Sequence, residues 1–188
     1  MKKKLIIVGG ANGVGKTTFA YQYKIEYGID YLGADEIVKE LSTNNHKQSD
    51  IMAGKEFFHR LNDYLKRSDS VIIESTLSGA LLSKWIEKFK IKGYTIHMVF
   101  VFLEDVELCK KRVKARVTKG GHNVPDLDIE RRFFRSIKNF KKTYLPLADT
   151  WQLFYNGLSR PVEVAIGEND NIMIIDEDYY QIFQEICK

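Results

Sequence analysis

The stretch Leu5-Ile6-Ile7-Val8-Gly9-Gly10-Ala11-Asn12-Gly13-Val14-Gly15-Lys16-Thr17 decides the fold. From Gly10 to Thr17 it satisfies G-x-x-x-x-G-K-[ST] at every fixed position. The apolar run before it reads as a short buried strand, and Thr17-Thr18-Phe19-Ala20-Tyr21-Gln22 after it reads as a helix start. The residue types follow from the chemistry of a phosphate cradle. Glycines let backbone N–H groups close around phosphate oxygens where a Cβ would obstruct the turn. The helix N-terminus adds unpaired donors and a partial positive charge. Lys16 has the reach for terminal phosphates, and the Thr17 hydroxyl suits a Mg²⁺ ion. The expected phosphate-binding set is therefore Gly10, Ala11, Asn12, Gly13, Val14, Gly15, Lys16, Thr17 and Thr18.

The 188 residues suffice for one domain with its own core, and we read 1–188 as a single domain. A chain that is 44% apolar and 29% charged falls with ordinary globular proteins and outside the disordered class. The longest apolar run, Met98 to Leu103, is far too short to span a bilayer as a helix. Met1-Lys2-Lys3-Lys4 before apolar residues resembles the start of a signal peptide, but the apolar part runs straight into the glycine-rich loop, so cleavage would destroy it. Cys109 and Cys187 show no metal or redox spacing and read as small half-buried side chains. These features fit a reducing cytoplasm, with no membrane association.

Charge is unevenly spread. Residues 110–142 hold 12 Lys and Arg against 3 acids, whereas 143–188 hold 2 against 8. A basic segment of this kind suggests a polyanionic partner, either nucleic acid or the phosphates of a phosphoryl-transfer site. Apart from Phe133, Phe134 and Phe140, the segment lacks the interleaved aromatics of single-strand binders, which disfavours nucleic acid.

Strand and helix patterns alternate along the chain. Strands are expected at 5–8, 30–32, 70–73, 94–103 and 151–155, with a weaker pair at 162–166 and 172–175 that suggests a hairpin. Helices are expected at 16–27, 35–41, 50–67, 79–92, 105–117, 127–142 and 177–187. Such alternation predicts an α/β three-layer sandwich, a parallel sheet with helices on both faces. Ligands in these folds collect at the carboxyl ends of the strands. Asp35 and Glu36 follow the second expected strand, and Glu74-Ser75-Thr76-Leu77-Ser78 follows the third. Glu74, closing the run Val71-Ile72-Ile73, suits the metal or its waters. Asp35 is the better candidate for a base that takes the proton of an acceptor hydroxyl. Thr76 and Ser78 either bond the acceptor or form the turn.

Arg112 and Arg116 are four apart and share one helix face, as do Arg131 and Arg135. The intervening Thr118-Lys119-Gly120-Gly121-His122-Asn123-Val124-Pro125 reads as a hinged loop, with His122 as a turn residue. Two arginine-bearing helices around such a loop make a lid, about 110–142, that closes over transferring phosphates.

Taken together, these motifs resemble the zeta-toxin family of ATP-dependent kinases. The resemblance runs over roughly 4–160. It rests on GGANGVGKTTFA at 9–20, GADEI at 33–37, ESTLSG at 74–79 and RVKARVTKGGHNVPDLDIERRFFRSIKNF at 112–140. It implies a P-loop NTPase core with strand order 2-3-1-4-5 and transfer of the ATP γ-phosphate to the 3′-hydroxyl of the amino sugar of UDP-N-acetylglucosamine. It further implies that Lys16 and Thr17 hold ATP and Mg²⁺, that Asp35 is the base, and that Glu74 and Thr76 line the metal and acceptor region. Arg116 and one of Arg131 or Arg132 would neutralise the transferring group, and Asn156 would lie near the adenine. By analogy it also suggests an antitoxin partner. Plasmid-type members of that family carry an arginine two residues after the motif threonine; here the position is Ser78. The chain looks more like the compact chromosomal branch.

Overall fold

The computed structural model describes residues 2–41, 46–169 and 171–186. The reading of Cys187 lies outside them. Alternation is realised as β1 (Lys4–Gly9), α1 (Lys16–Tyr27), β2 (Asp30–Leu32), α2 (Ala34–Leu41), α3 (His46–Arg67), β3 (Val71–Ser75), α4 (Leu81–Ile91), β4 (Thr95–Phe102), α5 (Val106–Val117), α6 (Asp126–Asn139), β5 (Thr150–Tyr155), β6 (Val162–Glu168), β7 (Asn171–Ile174) and α7 (Glu177–Glu185). The strands form one sheet in the order β2-β3-β1-β4-β5-β6-β7. The first five are parallel, in the order expected; β6 and β7 extend the sheet as antiparallel strands.

The central strands are apolar on both faces because both faces are covered. Leu5 to Val8, Val71 to Ile73 and Met98 to Phe102 are almost wholly buried. On one face, Tyr23 and Phe19 of α1 pack against His97 of β4 and Phe154 of β5. On the other, Phe183 of α7 meets Phe100 and Phe102 of β4 and Phe140. The expected helix over 127–142 ends at Asn139 and passes into a π-helical turn, 140–144, and a 3₁₀ turn, 145–147. The wider turn stacks Phe140 on Phe100 with ring centroids 4.2 Å apart, a contact that helps explain why α-helical geometry yields there.

Phe183 is 3% exposed and touches three rings, so it is the most deeply buried anchor of α7, beside Tyr179 stacked on Tyr155. Phe183→Ala is expected to cost about 3–5 kcal/mol of unfolding free energy, read as a lowered midpoint in urea with the slope unchanged.

Register places the functional loops together. Gly9, the last residue of β1, pairs with Ser75 of β3 and Phe100 of β4. Leu32 of β2 pairs with Ile73 of β3. The glycine-rich loop, the Gly33–Asp35 corner and Glu74 therefore leave one rim of the sheet side by side.

Candidate functional site

The loop between β1 and α1 is built as its residues demand. Gly10 has φ 141° and lies so close to β4 that a Cβ would run into the Val101 carbonyl. Gly15, with φ 95°, enters α1 from the left-handed region that side chains avoid. Lys16 Nζ donates to the Ala11 carbonyl at 2.9 Å and closes the loop on itself. Burial holds its ammonium pKa below the ordinary lysine value, opposed by the nearby carboxylates of Glu74 and Asp35. Thr17 Oγ1 donates to Glu74 Oε2 at 2.9 Å, which places a hydroxyl and a carboxylate together where β3 ends. Thr18 is exposed, and its N–H bonds the Gly15 carbonyl at 3.1 Å.

A cavity of about 370 Å³ opens beside Lys16 and Thr17. Asp35 from the first turn of α2, Glu74 and Thr76 line it. Arg116 of α5 reaches across, with Nη1 3.3 Å from Asp35 Oδ2 and Nη2 donating to the His122 carbonyl at 2.8 Å. Its Nε is buried without a hydrogen-bond partner. Arg132 of α6 also lines the cavity and donates from Nη1 to Asn12 Oδ1 at 3.3 Å. The wall away from the glycine-rich loop is apolar, made by Val38, Phe57, Phe58 and Leu82. Trp85 of α4 stacks behind Phe58 with centroids 5.7 Å apart.

The segment after Glu74 is fixed from three sides. Leu77 takes φ 54°, an uncommon conformation for a side-chain-bearing residue, and is 2% exposed. Its carbonyl accepts from Asn139 Nδ2 at 2.8 Å, and Tyr144 Oη donates to the Gly79 carbonyl. Thr76 Oγ1 and Ser78 Oγ lie 2.9 Å apart, hydrogen-bonded to each other.

Of the residues expected at the site, Asn12, Lys16, Thr17, Asp35, Glu74, Thr76, Arg116 and Arg132 converge on this one cavity. Gly10, Ala11, Gly13, Val14, Gly15 and Thr18, in the loop and the first turn of α1, do not line it, and two expected side chains, those of Arg131 and Ser78, are engaged elsewhere. Arg131 is an exposed side chain paired with Asp128 one turn back on α6, at 2.7 Å. Ser78 is turned to Thr76 and does not line the cavity. Asn156, expected near the adenine, lies outside this cavity, and its Nδ2 donates at 2.7 Å to the carbonyl of Val14. Cys109 is fully buried rather than half-buried, and burial pushes its thiol up to about 12. The aromatic wall of Phe57 and Phe58 and the tie from Asn139 were missed. Helical phase held the signal for part of this: Arg132, Ser136 and Asn139 follow one another at three- and four-residue steps beside the buried stripe of Ile129, Phe133 and Ile137.

Among the described residues no helix is long and apolar enough to cross a membrane. The AAA domain family profile matches residues 5–135. An uncharacterised protein of Haemophilus influenzae is 30% identical over 135 residues, covering 71% of this chain and 94% of that protein. Two solved structures share the fold at lower identity. The crystal structure of the AvrRxo1-ORF1:-ORF2 complex with ATP superposes with a TM-score of 0.77 at 17% identity, over 98% of this chain and 64% of that one. This chain thus spans under two thirds of the length of that relative. The PezAT chromosomal toxin–antitoxin system of Streptococcus pneumoniae gives a TM-score of 0.64 at 16% identity, over 99% of this chain and 78% of that one.

Proposed function

Since this chain belongs to the AAA domain family, with a P-loop NTPase-like fold, we propose that it is a cytoplasmic ATP-dependent kinase acting on a small hydroxyl compound. The observation that carries the reading is the convergence of Lys16, Asp35 and Arg116 on one cavity beside the glycine-rich loop. A carboxylate and an arginine facing the cradle suit transfer to a hydroxyl, the carboxylate as proton acceptor and the arginine as neutraliser of the developing charge. Lys16 and the loop amides would hold the triphosphate. The acceptor oxygen would bond to the γ-phosphorus as the bond from that phosphorus to the β–γ bridging oxygen breaks. ADP would leave with the bridging oxygen, and the acceptor proton would pass to Asp35. Arg116, whose Nη1 reaches Asp35 at the cavity, sets a permanent cation beside the transferring group. Arg132, adjoining Asn12, is the second arginine of the site. The adjacent hydroxyl of Thr17 and carboxylate of Glu74 fit a Mg²⁺ ion, which would be held partly by the nucleotide itself. That ion would supply charge neutralisation at the phosphates.

The motif resemblance nominates UDP-N-acetylglucosamine as the acceptor to test first. A second reading, another small hydroxyl compound, is favoured by Ser78, a short side chain whose hydroxyl is engaged with Thr76, and by the apolar wall of Phe57 and Phe58. Mass spectrometry of UDP-N-acetylglucosamine after incubation with the protein and Mg²⁺-ATP separates the two. Gain of one phosphate supports the sugar nucleotide; an unchanged mass, with label appearing on a different hydroxyl compound, supports the second reading. An antitoxin-like protein partner belongs to this proposal by analogy with the PezAT system. The helix pair α5 and α6 is read as its lid.

Arg116 provides an internal check. Arg116→Ala is expected to lower turnover by ~10³-fold while ATP affinity falls much less, because the contact matters most as charge moves onto the transferring group. Steady-state kinetics beside calorimetric binding measure both. An unchanged rate would reduce Arg116 to a structural tie between Asp35 and the His122 loop.

A further inference from the structure

We propose that Arg112 and Asn156 act together as a positioning pair that sets the donor geometry of the glycine-rich loop from outside the site, a role that rests on that loop holding a polyphosphate. Asn156 follows β5 and is fixed by its own backbone, whose N–H donates to the Phe102 carbonyl at 3.0 Å. Its carbonyl oxygen accepts from Arg112 Nη2 at 2.8 Å. Its side-chain Nδ2 donates to the Val14 carbonyl at 2.7 Å. The same Nδ2 lies against Gly15 so closely that a Cβ there would sit 2.6 Å away.

Peptide planarity turns this tie into a functional one. The carbonyl of Val14 and the N–H of Gly15 belong to a single rigid unit and point in opposite directions. Pinning the carbonyl outward onto Asn156 holds the Gly15 N–H facing the inside of the loop, where a phosphate oxygen would sit. Gly15, with no Cβ and a φ of 95°, would otherwise allow that peptide to flip at low cost. Arg112 completes the chain of contacts. It lies on α5 one turn before Arg116, so the helix that carries Arg116 to Asp35 also braces the loop through Asn156. Arg112 and Asn156 are thus positioning residues that need not touch the nucleotide.

The test uses inorganic tripolyphosphate with Mg²⁺ as probe, because it occupies the loop without a nucleoside. Binding of tripolyphosphate and of ATP is measured by calorimetry for the full chain and for Asn156→Asp, Arg112→Gln, Arg112→Lys and the double variant Arg112→Gln/Asn156→Asp. Asn156→Asp keeps the shape but sets a carboxylate against a carbonyl. It is expected to weaken both ligands by the same factor, about tenfold or more. Arg112→Gln is expected to weaken both by a smaller common factor, Arg112→Lys to recover part of it, and the double variant to lose no more than Asn156→Asp alone. Should Asn156→Asp fail to fold, the Arg112 variants decide on the same readout. Loss of ATP affinity with tripolyphosphate affinity retained would place Asn156 on the nucleoside and overturn the proposal, as would unchanged affinity for both ligands. A native protein that binds neither ligand would overturn the kinase reading as well, which separates the two failures.

Discussion

Lys16→Ala is expected to abolish phosphate transfer and to weaken ATP binding by two orders of magnitude or more. The size follows from what the side chain does. Lys16 is a half-buried cation that bonds the Ala11 carbonyl and lies near two carboxylates, so it closes the loop and neutralises part of its surroundings. Removing one member of a desolvated charged contact costs about 2–5 kcal/mol, much of it from the group left unpaired. A pH signature accompanies the loss. Burial lowers the pKa of Lys16 in the free protein; a bound triphosphate raises it again by opposite charge. Between the two values ATP binding takes up a proton, so affinity falls as pH rises through that window. Calorimetry in two buffers of different ionisation enthalpy reads the uptake, and Lys16→Ala should lack it. Uptake persisting in the variant would assign the proton to another group.

Asp35→Asn is expected to lower turnover by ~10²–10⁴-fold while ATP affinity stays close to that of the native protein. Asparagine keeps the shape and removes the proton acceptor. The exchange also breaks the ion pair with Arg116, but both partners are more than a third exposed. Pairs of that kind contribute about 0–1 kcal/mol, so the fold persists and the loss reads as chemistry. Stopped-flow or steady-state turnover beside calorimetric binding distinguishes the cases. Native turnover in the variant would remove Asp35 from the base role and leave it as the residue that orients Arg116.

The central strands were legible in the sequence itself, whereas their order, 2-3-1-4-5, came only with the family resemblance. Runs such as Leu5-Ile6-Ile7-Val8 and Val71-Ile72-Ile73 are apolar without alternation, the pattern of strands covered on both sides, and each is followed by the loop that carries polar residues. The rim then follows from topology, which is why Lys16, Asp35 and Glu74 could be grouped from sequence. What stayed hidden depends on contacts distant in the chain. The Asn156 tie joins residues 142 apart, and sequence offers only a position after a strand. Leu77 gives no sign of its left-handed backbone, which Asn139 and tight packing hold in place. The end of α6 was misjudged because 140–142 continue the basic pattern, while the π turn answers to Phe100 on a different strand. The choice between Arg131 and Arg132 is legible in helical phase, since only Arg132 lies beside the buried stripe of α6, whereas charge density alone does not separate the two.

The measurement that tests this account most directly follows the γ-phosphate itself. ATP labelled at that phosphate is incubated with the native protein, with Lys16→Ala and with Asp35→Asn, each in the presence of Mg²⁺ and a panel containing UDP-N-acetylglucosamine, N-acetylglucosamine, uridine and glucose. The account predicts label on an organic hydroxyl with the native protein and on none with either variant, while Asp35→Asn still binds ATP. ATP bound by the native protein with the label remaining on it, or released only as inorganic phosphate, would contradict it.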